Sequence, residues 1–243
     1  MSARGYIIVT RPEKEAQDYA QELRAAGFKA LSAPMLSIKP IAFDFPNLDD
    51  YQALLFTSAN AVRVFCDRAP RRDIPVYVVG QYTASEAKDQ GFENVVVSDE
   101  GGDALAALVD DHVKDRLAKL LHVRGVHVAR AIDELLVERG YKVDILKVYE
   151  AQSVYALPSD VLDAVRAGTV NAVTFFSKRT AENFINLARE NDAVSDLQRI
   201  KALCISSSVL KYVQAVSWAD TYKSEKPHRA SMLALIKETC EQS

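Results

Sequence analysis

The sequence predicts an α/β fold built on parallel sheets, and three observations carry that reading. Short apolar runs alternate with amphipathic stretches from end to end, the mark of βα units. Gly27, Gly91, Gly140 and Gly168 each follow a helical stretch, where a left-handed C-terminal residue favours glycine. Blocks of sequence also recur at fixed offsets, so one structural unit is expected twice.

Taken in order, the strand-like runs are Tyr6–Val9, Ala30–Ile38, Ala53–Phe56, Val76–Val79, Val95–Val97, Lys119–Val123, Val143–Tyr149, Ala172–Phe176, Ala202–Ile205 and Thr221–Tyr222. Helical patterns lie between them. Glu13–Ala26 places Ala16, Tyr19, Ala20 and Leu23 on one face, and Ala129–Arg139 repeats that design with Ile132, Leu135 and Leu136.

With 243 residues, 49% of them hydrophobic, the chain can form one large domain or two of about 120 residues. Its formal charge of −3 lacks the basic excess of a nucleic-acid binder, so no nucleic-acid partner is expected. Cys66, Cys204 and Cys240 are far apart and form no CxxC pair, which leaves no zinc ribbon or thioredoxin-type site. The apolar run Tyr6–Val9 is too short for a signal-peptide core or a membrane span. The expectation is a soluble, cytoplasmic protein without a membrane partner.

The repeats divide the chain. Arg11 precedes Gly27 by 16 residues (27 − 11), as Arg124 precedes Gly140 (140 − 124). At that offset of 113 (124 − 11), Ala16 meets Ala129, Leu23 meets Leu136, and Gly27-Phe28-Lys29 meets Gly140-Tyr141-Lys142. A second match, offset by 119 (177 − 58), lays Phe56-Thr57-Ser58 under Phe175-Phe176-Ser177 and Phe65 under Phe184. A third and weaker one sets Val79 against Ile205. The order of matches differs between the inner and outer segments, so the outer copy is a circular permutation of the inner one. The expected domains are therefore 1–36 with 150–243, and an inserted 37–149. Linkers near 33–40 and 145–153 would run side by side as a two-stranded hinge.

In open parallel sheets ligands bind beyond the carboxyl ends of the strands, where loops enter helices. Those loops are Thr10-Arg11-Pro12, Thr57-Ser58-Ala59-Asn60, Gly80-Gln81-Tyr82-Thr83, Ser98–Asp103, Arg124-Gly125, Ser177-Lys178-Arg179 and Ser206-Ser207-Ser208. Backbone N–H groups at helix starts, reinforced by hydroxyls, suit carboxylates or phosphates, although capping alone accounts for Ser and Thr at any single loop. Seven such loops facing one cleft point to an anionic ligand. No GxGxxG after a strand, GxxxxGK[ST], HExxH or GxSxG is present, and His112, His122, His127 and His228 complete no metal-ligand spacing. Neither a cofactor nor a metal is expected.

The motifs Ile8-Val9-Thr10-Arg11-Pro12, Phe56-Thr57-Ser58-Ala59-Asn60-Ala61-Val62 and Val78-Val79-Gly80-Gln81-Tyr82-Thr83-Ala84, in that order and spacing, resemble the uroporphyrinogen-III synthase family. So do Val123-Arg124-Gly125, Val148-Tyr149-Glu150, Val173-Thr174-Phe175-Phe176-Ser177 and Glu225-Lys226-Pro227, and the resemblance runs from about 6 to about 236. It implies two flavodoxin-like parallel-sheet domains, one inserted in the other and joined by a two-stranded β-ladder. It also implies a lyase of porphyrin and heme biosynthesis that closes the linear tetrapyrrole hydroxymethylbilane to uroporphyrinogen III. Ring D is inverted as water is lost, through an azafulvene and a spiro intermediate. The bilane closes readily without enzyme but without the inversion, so the protein's task is to impose conformation.

The same resemblance distributes roles. Tyr149 matches the family tyrosine thought to assist departure of the hydroxyl, although a linker tyrosine packed between domains is the competing reading. Thr83 matches a threonine proposed to contact substrate. Thr10, Arg11, Thr57, Ser58, Ala59, Gly80, Arg124, Gly125, Ser177, Lys178, Ser207 and Ser208 complete the expected binding groups, with Arg11 and Arg124 as repeat-equivalent cations that could instead pair with acids. Two departures stand out: Ser206-Ser207-Ser208-Val209 replaces a common Gly-Pro loop that continues with threonine, and Lys178-Arg179 replaces Pro-Ser. The expected partners are the bilane and, transiently, the enzyme that forms it; the expected state is monomeric. Alternatives are a non-catalytic two-domain hinge protein binding a polycarboxylate or other small anion, and a family member that has lost turnover.

Overall fold

A computed structural model describes residues 5–98, 101–127 and 132–240. The first elements are β1 (Tyr6–Val9), α1 (Glu13–Ala25), β2 (Lys29–Ser32), β3 (Leu36–Pro40), β4 (Tyr51–Phe56), α2 (Ala59–Cys66), β5 (Val76–Val79) and α3 (Gln81–Asp89). Then come β6 (Val95–Ser98), α4 (Gly102–His112), β7 (Lys119–Gly125), α5 (Ile132–Glu138) and β8 (Lys142–Ser153). The rest comprises α6 (Ser159–Arg166), β9 (Val170–Phe175), α7 (Lys178–Glu190), β10 (Lys201–Cys204), α8 (Ser207–Val213), β11 (Asp220–Lys223) and α9 (Arg229–Cys240).

The chain forms two compact units, Met1–Ser37 with Gln152–Ser243, and Ile38–Ala151. The first holds the parallel sheet β2-β1-β9-β10-β11. The second holds β8-β7-β4-β5-β6, also paired in parallel, with β3 beside β8. Both sheets are covered on both faces, which is why their strands read as continuous apolar runs. In the first unit Ile7 and Val9 pack with α1 and α9, whereas Ile8 and Phe175 pack with α6, α7 and α8. In the second, Leu54 and Phe56 pack with α2 and α3, and Ala53 and Leu55 with α4 and α5.

The two units share more than architecture. Tyr6 pairs with Lys29 as Lys119 pairs with Lys142, each member displaced by 113 (119 − 6 and 142 − 29). Tyr6 opposes Val170 and Ile7 opposes Ala172, skipping one residue; Lys119 opposes Tyr51 and Leu120 opposes Ala53, skipping the corresponding one. Phe175 opposes Cys204 as Phe56 opposes Val78. The aromatic contacts repeat too. Phe56 and Phe65 meet edge-on at 5.7 Å and 68°, and Phe175 and Phe184 at 5.6 Å and 67°. Taking β7, β8, β4, β5 and β6 in that order gives the second sheet the same 2-1-3-4-5 arrangement as the first.

The expected glycine stops hold: Gly27, Gly91, Gly140 and Gly168 have φ of 88°, 92°, 87° and 67°. The single run expected over Ala30–Ile38 is two strands, because Pro34 has no N–H to continue a ladder. Ala33 and Met35 instead donate to the carbonyls of Val9 and Thr10. Ala129 and the middle of the Ser98–Asp103 loop lie outside the described residues.

Candidate functional site

Parallel strands deliver their carboxyl ends, and the helix starts that follow, to one edge of each sheet. In the second unit that edge gathers Thr57 and Ser58 after β4, Gly80 after β5, and Arg124 and Gly125 at the end of β7. Tyr149 joins them from β8. The register of β7 on β8 shifts between Arg124, opposite Lys147, and Gly125, opposite Tyr149. This bulge puts the consecutive residues Val148 and Tyr149 into the same apolar cluster, where strict alternation would send one to each face. The Tyr149 hydroxyl thereby reaches Ser58 and donates to its Oγ at 3.2 Å.

Ser58 caps α2 with an extended backbone, its Oγ accepting from the Asn60 N–H at 3.2 Å. Ala59, the first helical residue, is buried. Thr57 is half-buried. Gly80 precedes α3 with φ of 79°, a conformation that requires glycine although a Cβ there would meet nothing within 4 Å. Thr83 lies in the first turn of α3 rather than in the loop, nearly buried, and among the described residues no partner holds its hydroxyl.

Arg63, unflagged by the sequence, ties the two helix starts together. It donates to Glu86 at 2.8 Å, to Asn60 Oδ1 at 2.9 Å and to the Tyr82 hydroxyl at 2.9 Å. An arginine and a glutamate 23 residues apart on different helices carry no local pattern, so only the packing of α2 on α3 reveals them.

Arg124 and Gly125 belong to β7 itself. The Arg124 side chain is largely buried, with its Nε 4.0 Å from Asp133 and without a hydrogen bond. Asp133 is taken by His122, whose Nδ1 lies 2.8 Å from Oδ1. His122 is fully buried, and burial holds its imidazole below the ordinary value.

The first unit places its expected residues differently. Thr10 is fully buried and donates to the Thr174 carbonyl at 2.7 Å, while Thr174 donates to the Ile8 carbonyl at 3.0 Å. The Thr10 donor is thus committed within the fold. Arg11 is paired with Glu15 one helical turn on, with its guanidinium 4.5 Å from the centre of the Phe176 ring. Ser177 caps α7 by accepting from the Thr180 N–H at 3.2 Å. Lys178 is exposed and lies over the Tyr212 ring at 5.4 Å. Ser207 and Ser208 are exposed in the first turn of α8, with Ser208 3.0 Å from the Ser206 hydroxyl. Val209 points into the core, 2% exposed, so its lack of a hydroxyl removes no group from the surface.

Burial pushes the Cys66 thiol up to about 11 and the Cys204 thiol to about 12, which keeps both protonated and unreactive. Among the described residues no three His, Cys, Asp or Glu side chains cluster as metal ligands, and no helix is long and apolar enough to cross a membrane.

Fold and site together define a protein of two parallel-sheet α/β units whose strand ends present hydroxyls, helix-start N–H groups and a buried-edge tyrosine. Residues 17–234 match the family model described as uroporphyrinogen-III synthase HemD, so the chain belongs to that family. It is 30% identical over 217 residues to the uroporphyrinogen-III synthase of Synechococcus elongatus, covering 83% of this chain and 81% of the relative. Identity to the Chlorobaculum parvum uroporphyrinogen-III synthase is 27% over 219 residues, covering 83% and 86%. Among solved structures, uroporphyrinogen-III synthetase from Helicobacter pylori superposes with a TM-score of 0.63 at 20% identity, over 96% of this chain and 99% of that one.

Proposed function

We propose that the chain is an active uroporphyrinogen-III synthase, closing hydroxymethylbilane with inversion of ring D and loss of water. The observation that carries this beyond family membership is the Tyr149–Ser58 pair. Ser58 Oγ accepts from both the Asn60 N–H and the Tyr149 O–H, which leaves its own proton as the pair's remaining donor. When the departing hydroxyl of the bilane takes the phenol's hydrogen bond, Ser58 can rotate and donate to the phenol oxygen. The phenol gives its proton to that hydroxyl, which leaves as water, and the Ser58 hydrogen bond stabilises the resulting phenolate. The phenolate regains a proton from ring D, which loses one as it re-aromatises on closure.

Around the pair, the α2 N-terminus, Gly80, Thr83 and Arg124 supply N–H, hydroxyl and guanidinium groups for pyrrole carboxylates. Ser177, Lys178, Ser207 and Ser208 would serve the same chemistry on the other unit. The inserted, permuted domain arrangement is proposed with it, supported by the shared ladder registers and the matched phenylalanine pairs. Cytoplasmic, monomeric action without cofactor completes the reading. The isomer formed from enzymatically generated hydroxymethylbilane tests it: the III isomer supports it, and the I isomer at the buffer rate rejects it.

A further inference from the structure

We propose that Gly125 is a positioning residue for this reaction: its missing side chain is the space in which the Tyr149 ring lies. The inference rests on the role of Tyr149 given above. A Cβ on Gly125 would stand 2.7 Å from Tyr149 Cζ, 2.9 Å from Cε2 and 3.1 Å from the phenol oxygen. The first two distances are closer than carbon atoms approach without displacement.

Backbone conformation does not account for the glycine. Gly27, Gly80, Gly91, Gly101, Gly140 and Gly168 have positive φ, and Gly125 is not among them. Its place in β7 is one that alanine can occupy, so the requirement is for space and for nothing else. Nor is the space open to a bilane from within, since the tyrosine ring fills it.

The bulge and the glycine act together. The bulge turns Tyr149 onto the face of Ser58, and its carbonyls are held on opposite sides: Ile41 N–H donates to Val148 at 3.0 Å and Val126 N–H to Tyr149 at 2.9 Å. That fixes the backbone from which the ring projects. Gly125 then decides how low the ring lies, and with it whether the hydroxyl meets Ser58 at 3.2 Å. The first unit has no counterpart. Its β1 and β2 pair without a shift, and Pro12 and Leu36 occupy the corresponding positions at the 113 offset (125 − 113 and 149 − 113).

The added methyl in Gly125→Ala strikes the far end of one side chain and not backbone, so the ring moves and the fold stands. A displacement of about 1 Å at a reacting group costs on the order of 10²-fold in rate. Gly125→Ala is therefore expected to lower kcat at least about tenfold, with KM and Tm little changed. The discriminating comparison is a cycle with Tyr149→Phe, which keeps the ring but removes the hydroxyl. On the Tyr149→Phe background, Gly125→Ala should alter kcat less than about twofold, because no reacting group is left to displace. Equal losses in both backgrounds would reduce Gly125 to a structural residue and overturn the proposal. So would a Gly125→Ala enzyme with normal kcat beside a slow Tyr149→Phe enzyme. Normal kcat in Tyr149→Phe would instead reject the role of Tyr149. Should Gly125→Ala fail to fold, Gly125→Ala/Tyr149→Leu decides: recovery of folding assigns the space to the ring, and failure of both refutes it.

Discussion

The two units are built to one plan and differ at their strand ends. Short of the β7–β8 bulge their ladders coincide residue for residue, down to the position skipped beside Tyr6 and beside Lys119 and the paired phenylalanines Phe56–Phe65 and Phe175–Phe184. They part at the carboxyl ends of corresponding strands. Where the first unit has Arg11 closed on Glu15 and Thr10 committed to the backbone, the second has a bulge, Gly125 and a tyrosine reaching a helix cap. Shared packing sets the scaffold, and a one-residue register shift brings Tyr149 to the Ser58 cap in one copy, the pair proposed to carry the chemistry. The lesson is that equivalence in the core does not extend to the strand ends.

The largest effect that tests the comparison lies in the shared core. Phe65→Ala and Phe184→Ala each remove a fully buried ring in the same edge-on contact. Each should cost about 3–5 kcal/mol, and thermal or denaturant unfolding should find the two losses alike to about 1 kcal/mol. Widely different losses would break the structural equivalence.

The next test separates scaffold from chemistry. Ser58 and Ser177 cap corresponding helices, so Ser58→Ala and Ser177→Ala should each destabilise by about 1 kcal/mol. Their kinetics should diverge. Ser58→Ala removes a hydrogen-bond acceptor of Tyr149 and should lower kcat, whereas Ser177→Ala should act mainly on KM. Matching kinetic effects would place the two sites on an equal footing.

The smallest effect is a pH dependence confined to the second unit, where His122 stands at the register position of Val9. Burial lowers its folded-state pKa below the ordinary imidazole value of 6.5, so the unfolded chain takes the proton first as pH falls. The stability contributed is complete above that value and declines below it, by at most about 1.4 kcal/mol per pH unit. Tm measured from about pH 7.5 to 5.5 should fall more steeply for the parent than for His122→Val. Parallel curves would remove His122 from the acid response.

Much of this was legible beforehand because it is written in local pattern. Apolar runs marked the strands, glycines marked the helix stops, and the 113 and 119 offsets that align sequence blocks also align ladder partners. The site was legible as residue types at strand ends but not as roles. Gly125 reads as one more loop glycine until the register of β8 places a ring on it. Thr10 reads as a surface hydroxyl until its buried bond to Thr174 is seen. Arg63 carries no signal because two of its partners, Glu86 and Tyr82, come from another helix. Each depends on contacts between distant segments, which spacing along the chain does not encode.

The most direct test of the central claim is single-turnover closure of enzymatically generated hydroxymethylbilane, with isomers separated for the parent chain and for Tyr149→Phe. The parent should yield uroporphyrinogen III, and the variant should form it about 10²-fold more slowly while the uncatalysed I isomer accumulates. Uroporphyrinogen I at the buffer rate from the parent, or undiminished III from Tyr149→Phe, would contradict it.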